Sequence, residues 1–252
     1  MQQLLRNTLS YLRTLLVSIP LVVACTIVMG LAVIAGSMFG SSRAFADRVM
    51  RRWARVLLAA SFVHVRVSGL DRLGNELGRT RSCVFCANHL SYMDPPVLVA
   101  SLPARVRFFA KESLFRIPIF GWAMRRMGHV SIDRENPRAA ARSLARASAQ
   151  FHDGTSAVIF PEGGRSETGS LESFHGGAMH LAIQLQIPVV PVAILGTRAV
   201  LPPGSIHIRG GQVRVMLGEP IPTHGLKSKD RHQLAARVRQ AIERLAEVRG
   251  DR

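Results

Sequence analysis

Ser82-Cys83-Val84-Phe85-Cys86-Ala87-Asn88-His89-Leu90-Ser91-Tyr92-Met93-Asp94-Pro95-Pro96 decides how the chain folds, because three local signals follow one another in it. Ser82–Ala87 is a short apolar run with strand character. Asn88 to Met93 has the composition of a turn. Asp94-Pro95-Pro96 opens an apolar segment that reads as a helix, with Asp94 at the N-cap and Pro95 at the first helical position. Strand, turn and helix in succession form the unit of an α/β sheet, and ligands collect at the carboxyl ends of such strands. His89 stands at that end. It is the candidate general base, and Asp94 is the candidate carboxylate that orients it. A plain N-cap aspartate beside a loop histidine has the same spacing, so other stretches must decide between the two.

Outward from this unit, the same alternation continues. Val63–Val67 alternates as a strand, and Val106–Phe109, His129–Ile132, Ala157–Phe160, Val189–Ile194, Ile206–Ile208 and Val213–Leu217 read as further strands. Helical patterns lie between them, around Phe120–Met127, Arg138–Phe151 and Gly177–Leu185, and a helix over Lys229–Val248 closes the chain. The expected fold is α/β, a mixed, largely parallel sheet flanked by helices over residues 63–252.

Residues 1–62 differ. From Thr14 to Ser42 there is no charged residue, and a bilayer core asks for about 20 apolar residues in a helix. Pro20, Gly30, Gly36 and Gly40 leave open one tilted span or a bent helical pair in one leaflet. A cleaved signal peptide fits less well, since the apolar run exceeds the usual length of about 7–15 residues. Arg43, Arg48, Arg51, Arg52 and Arg55 outnumber Arg6 and Arg13, which places the main domain on the cytoplasmic side. The stretch Ala44–Phe62 repeats Phe45, Val49, Trp53, Val56, Leu57 and Ala60 at helical steps against that arginine face, as a helix on anionic headgroups or on a core would.

The net charge of +17 points to an anionic partner: a membrane surface, a nucleic acid or a phosphorylated ligand. Aromatic residues make up only 6% and form no stacking platform, which argues against nucleic acid. Three cysteines without a disulfide-like pattern suit a reducing compartment. Cys83 and Cys86 with His89 do not read as a metal site, because residues three apart in a strand face opposite sides and no second cysteine pair follows.

Two more stretches carry chemistry. Phe160-Pro161-Glu162-Gly163-Gly164-Arg165-Ser166 follows a strand; its glycines let backbone amides approach an anion, and Arg165 offers a planar fork suited to phosphate. Glu162 can order Arg165 or take a hydroxyl. From Lys111 to Arg134, Leu114, Phe115, Ile117, Ile119, Phe120, Trp122, Met124 and Met127 mix with Lys111, Arg116, Arg125 and Arg126, a wall along which an acyl chain fits.

In order and spacing these stretches resemble the 1-acyl-glycerol-3-phosphate acyltransferases. Four blocks carry the resemblance: Asn88-His89 with Asp94; Lys111 through Gly121 with Gly128, Ile132, Asp133 and Arg134; Phe160-Pro161-Glu162-Gly163 with Arg165 and Ser166; and Val190-Pro191-Val192. The resemblance implies an acyl-CoA or acyl carrier protein donor as co-substrate, no permanently bound cofactor, and a lysophospholipid acceptor whose glycerol phosphate is placed by Glu162 and Arg165. It also implies a substrate-binding role for Asn88, Lys111, Gly163, Gly164 and Ser166. Gly164 stands where the family usually has Thr, and His175 where it commonly has Lys, so the acceptor headgroup stays open.

A thioester is already activated, so a base that takes the proton of an alcohol is sufficient. Histidine, with an ordinary pKa of about 6.5, suits that task at neutral pH. Ser91 as a nucleophile is the weaker reading, since no Gly-x-Ser-x-Gly surrounds it. Rival readings are an acyltransferase for lyso-ornithine lipid or another lysolipid, and a non-enzymatic basic protein on a membrane.

Overall fold

The computed structural model describes residues 2–133, 136–152 and 154–247. A long N-terminal helix comprises α1 (Gln2–Arg13), a π-helical turn (Thr14–Ser18) and α2 (Ile19–Met38), and the chain returns as α3 (Arg43–Ala60). There follow β1 (Val63–Ser68), β2 (Val84–Ala87), α4 (Asp94–Ser101), β3 (Arg105–Lys111), α5 (Glu112–Phe115), α6 (Phe120–Arg126), β4 (Val130–Ile132) and α7 (Pro137–Ala147). The last third holds β5 (Thr155–Ile159), α8 (His180–Leu185), β6 (Val189–Leu195), α9 (Thr197–Val200), β7 (Gly211–Leu217) and α10 (Arg231–Glu247).

The strands form one sheet in the order β1-β7-β6-β2-β5-β3-β4, and every neighbouring pair is parallel except β6 with β7. This is the mixed, largely parallel sheet expected from the alternation. Strands covered on both faces read as unbroken apolar runs. In β2, Phe85 and Ala87 feed the core that holds Val97, Leu98 and Val190, while Val84 and Cys86 feed the one with Met179, Leu181 and Ile242. β2 lies in the middle of the sheet between β5 and β6, so the loops that leave the carboxyl ends of these three strands meet.

Ile206–Ile208, expected as a strand, is an irregular loop. The Ile208 carbonyl accepts from Thr14 Oγ1 at 2.9 Å and from Arg13 Nη2 at 2.8 Å, so the N-terminal helix takes up the acceptor that a ladder would use. Asp94 is not an N-cap either. Met93 holds that position, α4 begins at Asp94 itself, and the carboxylate turns back to the residues before it. The last helix starts at Arg231 after a 3₁₀ turn over Ser228–Asp230, later than the expected Lys229. Arg134 and Val248 lie outside the described residues.

The apolar N-terminal helix is docked on the domain along its length. α2 packs on α3 and α6, and an added Cβ at Gly30 would stand 2.7 Å from Ile119 Cγ2, so glycine sets the closeness of that approach. Pro20 sits in the first turn of α2, where its missing N–H costs least, directly after the π turn. The outer face, with Leu9, Leu12, Leu16, Leu21, Val28, Leu31 and Phe39, stays exposed. The 32-residue helix Asn7–Met38 holds an 18-residue stretch with a mean hydropathy of 2.6 and is long and apolar enough to cross a membrane. An exposed face of this kind favours membrane association.

α3 turns Asp47, Met50, Ala54, Leu57, Leu58 and Ala60 inward; of the expected stripe Leu57 and Ala60 are buried, Trp53 packs half-buried against the core, and Val56 is exposed. Asp47 can be buried because Arg107 of β3 donates to it at 2.6 Å. Arg51 is drawn in as well, donating to the Leu102 and Ala104 carbonyls, whereas Arg43, Arg48, Arg52 and Arg55 remain exposed.

Candidate active site

His89 leaves the carboxyl end of β2, and its Nδ1 lies 2.7 Å from Asp94 Oδ2. A carboxylate only accepts, so Nδ1 carries the proton and the Nε2 lone pair is left for chemistry. The same Oδ2 accepts from the Leu90 amide at 2.7 Å and the Ser91 amide at 2.8 Å, which fixes the turn around the histidine. Asp94 is fully buried, and its Oδ1 has no partner. Phe160, just after β5, stacks on the imidazole at 4.0 Å between ring centroids and 16° between planes. Ser91 is no nucleophile here: its hydroxyl donates to the Leu201 carbonyl at 2.7 Å and accepts from the Met93 amide at 3.1 Å.

The loop after β5 closes over this dyad. Glu162 does not order Arg165, contrary to one expectation. Its Oε1 accepts from the His89 amide at 2.7 Å and its Oε2 from the Glu172 amide at 3.1 Å. Burial raises its carboxyl above the ordinary value, against the pull of those two amides. Asn88 likewise works on backbone: its side-chain amide exchanges two hydrogen bonds with Ile194 of β6, at 2.9 and 2.7 Å. Both residues, expected to bind substrate, hold the histidine loop between its neighbouring strands. Ser166 is buried, its amide donates to the His89 carbonyl, and its hydroxyl accepts from the Gly169 amide. Gly163 adopts φ +75°, which L side chains rarely take, and His175 closes over it. Nothing stands within 4 Å of where a Cβ of Gly164 would be, so a threonine at that position would fit.

Arg165 differs from its neighbours. Its guanidinium carbon lies 3.5 Å from the centroid of the Tyr92 ring, and its Nη1 is buried with no acceptor. A rigid cation with an unused donor near the candidate base is suited to a phosphate.

His89, Tyr92, Lys111 and Arg165 together line a cavity of about 420 Å³. Its walls are apolar: Met29, Gly30 and Val33 from α2, Val49 and Met50 from α3, Leu114 from α5, and Phe120, Ala123 and Met124 from α6. The stretch beginning at Lys111 was expected as such a wall; the contribution of α2 and α3 had no signal in the sequence, because it comes from packing between distant segments. Phe160 was legible only as the end of a strand. Arg198, also unforeseen, donates to the Ser166 and Glu167 carbonyls and so holds the loop of Arg165 in place. Cys83 and Cys86 lie in the cores on opposite faces of the sheet, where burial pushes the Cys83 thiol up to about 12 and raises that of Cys86 too.

A histidine–aspartate pair at the mouth of an apolar cavity, with an unpaired arginine beside it, sits inside a segment that comparison can identify. The family model described as Acyltransferase matches residues 64–195. The chain belongs to the acyltransferase family. A chloroplastic 1-acyl-sn-glycerol-3-phosphate acyltransferase of Brassica napus is 36% identical over 180 residues, 71% of this chain and 51% of that protein. A lyso-ornithine lipid O-acyltransferase of Pseudomonas aeruginosa is 33% identical over 214 residues, 78% of this chain and 77% of that one. The crystal structure of the 1-acyl-sn-glycerophosphate acyltransferase of Thermotoga maritima matches with a TM-score of 0.77 at 25% identity, covering 100% of both chains. The chain spans about half the length of the chloroplastic relatives it matches. The acyltransferase match of residues 64–195 includes His89, Asp94, Lys111 and Arg165 but begins after α2 and α3, which complete the cavity.

Proposed function

We propose that the protein transfers a fatty acyl group from a thioester donor to the sn-2 hydroxyl of 1-acyl-glycerol-3-phosphate, giving phosphatidic acid. The observation that carries this reading is the shared opening: the free nitrogen of an oriented histidine and an unpaired arginine border one apolar cavity. The acyl chain of the donor lies in the cavity, its thioester carbonyl at His89. His89 Nε2 takes the acceptor's hydroxyl proton as the oxygen attacks that carbonyl. The tetrahedral intermediate expels the thiolate, and the imidazolium returns the proton to sulfur. Asp94 holds the tautomer and balances the transient charge, as the aspartate of a serine protease does. Arg165, with Lys111 at the rim, binds the acceptor's phosphate. The reaction needs no resident cofactor; acyl-CoA or acyl carrier protein enters as co-substrate. The exposed arginines of α3 and the apolar outer face of α2 set the catalytic domain against the anionic cytoplasmic leaflet.

A second reading keeps this chemistry and changes the acceptor. It rests on the Pseudomonas relative and on Gly164, where this chain departs from the family's usual threonine. The test is thiol release by the purified protein across a panel of lysolipids, with acyl-CoA and acyl carrier protein thioesters as donors. Lysophosphatidate as the preferred acceptor supports the first reading; lyso-ornithine lipid as the preferred acceptor replaces it with the second. Release with no lysolipid dependence contradicts both.

A further inference from the structure

His129, at the start of β4, is a polar group that the proposed reaction does not use, and it lines the apolar cavity. Its Nδ1 accepts from the Phe108 amide at 3.0 Å. Burial, reinforced by the nearby Arg107 guanidinium, holds the imidazole down to about 3, so the ring is neutral at physiological pH. With Nδ1 an acceptor, the single ring proton is on Nε2. That N–H has no acceptor among the described residues, and the ring lines the cavity. Trp53 and Thr26, also in the walls, satisfy each other: Trp53 Nε1 donates to Thr26 Oγ1 at 3.0 Å, and that hydroxyl donates to the Val22 carbonyl.

The position of His129 relative to the dyad is set by a row of rings. His89 stacks on Phe160 at 4.0 Å, Phe160 on Phe108 at 6.4 Å, and Phe108 lies against His129 at 5.7 Å. A chain whose carbonyl is at His89 runs along these rings and meets the Nε2–H of His129 part-way down its length. A saturated chain offers that donor nothing. A hydroxyl or carbonyl oxygen on the chain offers it an acceptor.

The geometry points to a polar subsite inside the acyl cavity, in which His129 Nε2–H binds an oxygen carried on the fatty chain, so that the pocket accepts an oxygenated acyl group with the oxygen at one defined position. This inference rests on the cavity holding the acyl chain, as proposed above. It adds a determinant of acyl selectivity away from the reacting atoms.

The test measures binding rather than turnover. A fluorescent fatty acid bound to the wild type and to His129→Phe in lipid nanodiscs is displaced by saturated fatty acids and by acids of equal length with a single hydroxyl moved along the chain. In the wild type, one hydroxyl position is expected to bind about three- to tenfold more tightly than the positions flanking it, the worth of one neutral hydrogen bond. His129→Phe should lose that preference and keep its affinity for saturated chains. His129→Gln, whose amide N–H can donate, should restore part of it, and this separates a missing donor from a misfolded variant. An identical position profile in wild type and His129→Phe overturns the inference, as does a cavity that takes no fatty acid. A wild type that shows the preference but turns over no acyl thioester overturns the catalytic reading and leaves the subsite standing.

Discussion

Arg165 is the residue whose role is most open to direct test, because it alone in its loop has a buried donor with nothing to bind. A hydrogen bond between charged groups contributes about 1.5–3 kcal/mol. Arg165→Ala should therefore raise KM for a phosphorylated acceptor by roughly ten- to a hundredfold and leave KM for the thioester donor nearly unchanged. Steady-state kinetics with each substrate varied in turn checks this, and equal effects on both would refute phosphate binding by Arg165. Arg165 was legible in the sequence because its type and its glycine neighbours suffice to define an anion loop. Asn88 and Glu162 were legible as positions but not as roles. The partner of Asn88 is Ile194, 106 residues away, and that of Glu162 is the His89 amide, 73 residues away. Which donor meets which acceptor over such distances depends on the sheet order, which no local spacing encodes.

At the level of elements, seven of the eight expected strands and the main helices of the sheet domain were legible, because hydrophobic period and turn residues act over a few neighbours. Two departures share a cause. Ile206–Ile208 has the composition of a strand, yet Arg13 and Thr14 claim the Ile208 carbonyl; Asp47 of α3, outside the expected apolar stripe, is turned inward by its pair with Arg107. In both cases a distant partner overrode the local pattern. The contribution of α2 to the cavity is of the same kind, and it can be probed at Gly30, where α2 touches Ile119 at close range. Ile119 already holds φ 63°, so it has little room to move. Gly30→Val should push a branched side chain toward Ile119 and the cavity, and lower kcat/KM for long acyl donors roughly tenfold relative to short ones. A series of acyl donors of increasing length measures this. A uniform loss at every length would mean that α2 supports the fold without shaping the acyl cavity.

For the molecule as a whole, charge and shape act together. The net charge of +17, the exposed arginines of α3 and the apolar face from Leu9 to Phe39 combine attraction to anionic lipid with apolar insertion. The helical hairpin that carries this surface also supplies two walls of the cavity, so the elements proposed to meet the membrane also wall the cavity proposed for the acyl chain. The central claim is that His89, oriented by Asp94, removes the acceptor's proton in a direct transfer. The measurement is acyl transfer to lysophosphatidate by wild type and His89→Ala, each bound to vesicles containing anionic lipid, with binding followed on the same samples. Both proteins should bind alike, and the variant should lose about 10²–10⁴ in turnover with no acyl-enzyme formed by either. A His89→Ala protein that still transfers at the wild-type rate, or an acylated protein isolated from the wild type, would contradict the account.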